Sequence, residues 1–203
     1  MAVITIQENR NYKEYMNQKK LRPWKTLKKE TILDHNHFLK VENHVVELPD
    51  GTIIPDWAWV EIPDAVIILA ITAEQQFLCF HQTRYAVEGT TLATAGGMIE
   101  ENELPLDAAK RELLEETGYT SDKWVNLGSY KLDPNRGMAT MHLYLALDAK
   151  YQKEPFADDL EDQELLFLNK AEIEEALLAG EFKVLTSAAV VSLSLNYINS
   201  LNR

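Results

Sequence analysis

The chain has 203 residues, 46% of them hydrophobic and 26% charged, so it can bury a sizeable core without disulfide staples. Its net charge of −12 and pI near 4.9 exclude the basic face that nucleic-acid backbones and anionic lipids require, so neither kind of partner is expected. The longest apolar run, residues 65–71, is far below the roughly 20 residues of a membrane-spanning helix, and polar residues 7–11 stand where a secretory leader needs an apolar stretch; a cytoplasmic protein is expected.

Residues 1–29 are polar and basic, with Lys19, Lys20, Lys25, Lys28 and Lys29, and read as an irregular or partly helical arm. Short strands follow at 38–41, 45–48 and 53–62, with a turn at Pro49, Asp50 and Gly51 between the last two, which makes a small antiparallel meander. This gives a first domain over residues 1–62 and a second over 63–203. The second opens with two core strands, 65–72 and 77–83, joined by the polar turn 73–76. The lone cysteine, Cys79, lies inside the apolar string of the second strand and reads as a buried structural thiol.

A glycine-containing loop, 94–103, leads to a helix over 104–117, with Pro105 suited to its first turn and Gly118 to its C-cap. Strands are expected at 124–132, 141–146 and 164–168, and helices at 170–179 and 186–201. Strands interleaved with helices indicate an α/β or α+β sandwich.

The 104–117 helix carries the chemistry. Residues three and four apart share a helix face, so Glu112, Glu115 and Glu116 are expected to project their carboxylates into one cluster. Such a cluster repels itself unless a cation stands in it, and hard divalent cations take several oxygen ligands. Leu106, Ala109 and Leu113 make an apolar stripe, so the helix can pack one side while presenting carboxylates along another. Arg111, four before Glu115 and eight after Glu103, is placed to orient or partly neutralise the acids.

From Gly97 the spacing runs five residues to Glu103, seven more to Arg111, then Glu112, Leu113, Leu114, Glu115, Glu116, Thr117, Gly118 and Tyr119. This resembles the Nudix box at every specified position, a match whose chance frequency is on the order of 10⁻⁸ to 10⁻⁷ from average residue usage. Resemblance covers roughly residues 30–200 and is closest to the ADP-ribose and nucleotide-sugar pyrophosphatase branch. It rests there on Leu48, Pro49, Asp50 and Gly51, on Pro63 to Val66, on Gln82, Thr83, Arg84 and Tyr85, and on the 138–146 stretch.

The resemblance implies an α/β/α Nudix sandwich with a mixed central sheet and a small N-terminal antiparallel subdomain. It also implies hydrolysis of a nucleoside diphosphate linked to a sugar, dependent on Mg²⁺ or Mn²⁺, by a homodimer whose N-terminal meander reaches the partner's site. Metal ligands would be Glu112, Glu115, Glu116 and the backbone carbonyl of Gly96, with Arg111 and Glu103 orienting them. The general base would come from the acidic run 158–164, Glu161 first and Glu164 second. Arg84 reads either as a phosphate contact or as half of a structural ion pair. Trp57 and Trp59, two apart on one strand face, either stack on a base or pack, Trp59 being the substrate-binding candidate.

One departure bears on substrate. Where ADP-ribose pyrophosphatases usually carry Glu-Leu-Pro-Ala-Gly before the box, this chain has Ala93, Thr94, Ala95, Gly96 and Gly97, so strict ADP-ribose specificity is not implied. A Nudix enzyme for a dinucleotide, a nucleoside triphosphate or another diphosphate remains open. So does a nucleotide-binding regulatory module without turnover.

Overall fold

The computed structural model describes residues 21–36, 38–156 and 162–201. Two compact units divide the chain, one of residues up to 63 together with 131–139, the other of residues 64–130 and those from 140 onward.

The first unit is a three-stranded antiparallel sheet ordered β1 (Lys25–His35), β2 (Leu39–Glu47), β3 (Ile53–Glu61). Two sequence expectations change here. Residues 25–29 are not part of an arm but the start of β1, whose residues are exposed along its whole length and so carry no period-two signal. The expected strands 38–41 and 45–48 are one strand, because the polar residues between them are not a turn: Glu42 and His44 point inward, 4% and 1% exposed.

Burial of two polar groups is tolerable when they satisfy each other. Glu42 Oε2 and His44 Nε2 are 2.8 Å apart, and Lys40 pairs with the other carboxylate oxygen. Residues 131–139 complete the unit by backbone contact. Val60 donates to the carbonyl of Arg136, the Trp57 indole donates to the carbonyl of Asn135 at 2.8 Å, and Gly137 lies so close to the Trp59 ring that a Cβ would overlap it.

The second unit is built on an eight-stranded mixed sheet. Its path runs β11 (Gln163–Leu168), β5 (Phe77–Thr83), β4 (Ala65–Thr72), β10 (Thr140–Tyr151), β8 (Tyr119–Thr120), with β9 (Lys123–Lys131) also on β10. β10 runs parallel to β4 and extends past the expected 141–146. β4 and β5 pair only near their turn, at Ala70 with Leu78 and Ile71 with Phe77, and then splay. The fork is filled by β6 (Thr90–Ala93) on β5 and β7 (Ala95–Met98) on β4. The expected 94–103 loop is thus partly strand; two four-residue pieces rich in small residues give too short a pattern to read.

Helices cover both faces. Alternation in β4 sends Val66, Ile68 and Ala70 against Ala108, Ala109 and Leu113 of α1 (Pro105–Thr117), and Leu69 and Ile71 against Ile173 of α2 (Lys170–Leu178) and Val190, Val191 and Leu195 of α3 (Leu185–Leu201). Pro105 occupies the first turn of α1 and Gly118 closes it in the left-handed conformation, while Asn169 and Glu172 form a capping box on α2. Cys79 is fully buried, and desolvation pushes its thiol up to about 12.

The buried Glu42 sets an acid limit on the first unit. Its bonds to His44 and then Lys40 hold its carboxyl at about 2, below the ordinary 4.5. The stabilisation is present above about 4.5 and is lost as pH falls through about 2. A Glu42→Gln protein should therefore melt below wild type at pH 7, and the gap should close as thermal scans move from pH 4.5 toward pH 2. A gap independent of pH would refute the assignment.

Candidate active site

α1 is held to the sheet by its buried stripe, and the flank of the helix next to that stripe faces β7. There the glycines decide what can approach. A Cβ on Gly97 would overlap the carboxylate of Glu112, so only glycine lets that carboxylate lie against the backbone. One residue earlier, the backbone N–H of Gly96 donates to Glu116 Oε2 at 2.9 Å. Glu112 and Glu116, one helical turn apart, are thereby both brought onto the Gly96–Gly97 strand.

Arg111 supplies the positive charge among them. Its Nε and Nη2 grip Glu103 in a bidentate pair, both at 2.9 Å, and Nη2 also reaches the Met98 carbonyl at 3.1 Å. Its Nη1 donates to Glu112 at 2.7 Å and Glu115 at 3.2 Å. Glu103 in turn accepts from the backbone of Glu100, closing the 100–103 turn. The Arg111 guanidinium, bonded first to Glu103, is raised further above its already high range, and the same bond holds Glu103 below the usual carboxylate value.

The sequence expected Glu112, Glu115 and Glu116 in one cluster around a cation. In the structure Glu112 and Glu115 share Arg111, whereas Glu116 turns to Gly96. Among the described residues no three acidic, histidine or cysteine side chains form a ready-made cage. The donors nevertheless suit a hard divalent cation, since they are carboxylate oxygens on one helix flank facing a strand pared to glycine.

The remaining sequence candidates are dispersed. Glu161 lies outside the described residues. Glu164 is the second residue of β11, in register opposite His81, and both line a cavity of about 180 Å³ with Gln82, Thr90 and Asp162. Alternation places Glu164 with Leu166 and Leu168, on the face turned to α2 and α3. Phe156, the last described residue before the acidic run, donates its backbone N–H to the Glu115 carbonyl. Arg84 lies against the Gln82 amide, whose oxygen accepts from it when the amide is oriented to satisfy both its ends.

In the first unit, Trp57 and Trp59 do line one groove, of about 410 Å³, with Trp24, Thr26, His44, Val46, Pro134 and Asn135. Trp59 stacks on His44 at 4.8 Å and its indole donates to Glu61. Trp57 meets Trp24 edge to face at 5.0 Å. Sequence reasoning missed Trp24, which sat in the region read as an arm; its only signal was a large aromatic residue just ahead of a lysine-rich strand.

Comparison with known proteins gives two adjoining family matches: the NUDIX domain over residues 61–186 and the nucleoside diphosphate sugar hydrolase N-terminal domain over residues 24–60. The chain is 32% identical over 154 residues to the ADP-ribose pyrophosphatase of Bacillus subtilis (strain 168), covering 75% of this chain and 80% of that one. It is 33% identical over 153 residues to the methanol dehydrogenase activator of Bacillus methanolicus, with the same coverage. It is 30% identical over 166 residues to a CMP-5'-(N-acetyl-N-hydroxy-3-aminopropyl)phosphonate hydrolase of Streptomyces rubellomurinus (strain ATCC 31215), covering 81% of this chain and 78% of that one. A solved structure of an ADP compounds hydrolase superposes with a TM-score of 0.75 at 20% identity, over 92% of this chain and all of that one, which is a likeness of fold.

Replacing Arg111 by Met leaves Glu103, Glu112 and Glu115 without their shared counter-ion. The variant should lose on the order of 2 kcal/mol at pH 7 in urea unfolding. It should regain much of this in millimolar Mg²⁺, which supplies the missing positive charge to the crowded carboxylates. An equal loss with and without Mg²⁺ would count against a shared carboxylate site.

Proposed function

The chain belongs to the NUDIX domain family and is a Nudix hydrolase, and from that premise we propose that it cleaves the diphosphate bond of ADP-ribose or a related nucleoside diphosphate sugar. The observation that carries the chemistry is the convergence of Glu112 and Glu116 on the Gly96–Gly97 backbone, with Glu115 beside them on Arg111. Support for the substrate class comes from the names of the relatives and of the N-terminal family match.

In this reading Glu112, Glu115, Glu116 and the Gly96 carbonyl hold Mg²⁺, with Mn²⁺ as a substitute. Bound there, the cation supplies Lewis-acid stabilisation of charge on the diphosphate. Arg111 and Glu103 fix the carboxylates, and Arg84 contacts a phosphate. Water adds to one phosphorus, the bridging anhydride P–O bond breaks, and the products are a nucleoside monophosphate and a sugar phosphate. The water's proton passes to a carboxylate of the acidic run. Glu161 is the first choice; Glu164, on the face of β11 turned to α2 and α3, is the second.

In the homodimer reading the first unit serves the partner's site, and its aromatic groove offers Trp57 and Trp24 as stacking surfaces for a base, with Trp59 as the wall that His44 backs. A homodimer fits β1, an edge strand exposed along its length with Leu27, Ile32 and Leu33 uncovered, the kind of strand that proteins pair or protect. The acidic surface charge and the single buried thiol suit a cytoplasmic protein without nucleic-acid or membrane partners. A second reading, a nucleotide-binding regulator, is favoured by the name of one relative, an activator of a dehydrogenase; the full set of box glutamates favours turnover.

Release of monophosphate from ADP-ribose, GDP-mannose, UDP-glucose, NADH and diadenosine polyphosphates, with Mg²⁺, Mn²⁺ or EDTA, tests the assignment. Cation-dependent turnover of a nucleotide sugar is expected. Glu112→Gln and Glu116→Gln should each lower kcat by about 10²-fold or more with the fold intact, and Glu161→Gln should cost more than Glu164→Gln. Wild-type rates in the first two variants would sink the metal assignment, and ligand binding without turnover would favour the regulator. Light scattering at micromolar concentration should give twice the chain mass, and disruption of β1 by Ile32→Lys should shift it to monomer.

A further inference from the structure

Gln82 is the penultimate residue of β5 and only 2% exposed. A carboxamide buried to that degree is costly unless both its ends are used. Oriented to satisfy both, its oxygen accepts from Arg84 Nε at 2.7 Å and Nη2 at 3.2 Å, and its nitrogen donates to Gln163 Oε1 at 3.1 Å. The two bonds to Arg84 lie along one edge of the guanidinium, so they fix its plane as well as its position.

Strand alternation says which side of the sheet this chain of polar groups occupies. Gln82 shares a face of β5 with Leu78 and Phe80, both packed with Ala108, Ala109 and Leu113 of α1. Gln163, its partner in register, shares a face of β11 with Leu165, which packs against the same cluster. The link from Arg84 through Gln82 to Gln163 therefore lies on the α1 face, the one that carries the box carboxylates. His81 and Glu164, the next pair along the same two strands, face the other way. A second tie runs through the backbone, where Thr83 donates to the Asp162 carbonyl at 3.2 Å.

We propose that Gln82 is a positioning residue, which fixes the Arg84 guanidinium for the substrate diphosphate and couples it to the start of β11, where the acidic run ends. The proposal rests on the reading of Arg84 as a phosphate contact. A plug for the space between strands would need only the volume of a methionine. A guanidinium aimed at a phosphate needs a planar acceptor that grips one edge and keeps the group from swinging into solvent.

The test is a double-mutant cycle read by calorimetric affinity for inorganic pyrophosphate in excess Mg²⁺, which does not depend on which nucleotide is the substrate. Arg84→Ala should weaken binding about tenfold, as loss of a charge-assisted phosphate contact does. Gln82→Met should weaken it about three- to tenfold when Arg84 is present and leave it unchanged in the Arg84→Ala background, the signature of two residues acting as one. Gln163→Leu, at the half-buried end of the link, gives the same pattern at about two- to threefold and serves if Gln82→Met does not fold.

If Arg84→Ala leaves pyrophosphate affinity unchanged, the phosphate reading of Arg84 fails and the proposal with it. If Arg84→Ala weakens binding but Gln82→Met and Gln163→Leu cost the same with and without Arg84, or cost nothing, Arg84 keeps its role and the positioning role of Gln82 is overturned.

Discussion

Three carboxylates and a backbone carbonyl from either end of the 98–115 stretch meet on the guanidinium of Arg111, and the rest of the second unit is arranged so that they can. Glu103 and Met98 come from the segment ahead of α1, Glu112 and Glu115 from the helix itself. The fork between β4 and β5 admits β7, and β7 lies against β4 where Leu113 anchors α1. The strand can then present a backbone thin enough for Glu112 and Glu116 to lie on. A helix bearing the same acids with no sheet beneath it would hold them apart by their own repulsion.

Much of this was legible in the amino-acid sequence because the constraint is local. Gly97, Glu103, Arg111 and the three glutamates span one short strand, a turn and one helix, and helical periodicity fixes the relations of those on the helix without knowledge of the fold. The core strands were equally plain, being apolar and flanked by turn residues. What could not be read depends on partners far along the chain. β6 and β7 exist because a fork receives them, and nothing in Thr90–Ala93 or Ala95–Met98 announces it.

β1 and β2 deceived for opposite reasons. β1 is polar because it is exposed along its length, so it looked like an arm. β2 has polar residues in its middle because Glu42, His44 and Lys40 satisfy one another inside the unit, so it looked like two strands. Gln82 belongs to the same class: a polar residue at the end of an apolar strand is unremarkable until its cross-strand neighbour and Arg84 are seen to use both ends of its amide. For the box, the structure adds the division of the glutamates between Arg111 and Gly96.

The excursion of residues 131–139 into the first unit has a consequence for biosynthesis. β1, β2 and β3 leave the ribosome first, but the carbonyls that receive Val60 and Trp57, and the glycine that lies against Trp59, are not made until all of α1 and β9 have followed. Closing so long a loop costs little more than closing a short one, because the entropy grows only logarithmically with length. Timing is what changes: the unit encoded first is the one that must wait, holding its indoles uncovered while the second unit's early strands appear. Grafting this sheet onto another protein would accordingly mean moving two separate pieces of the gene.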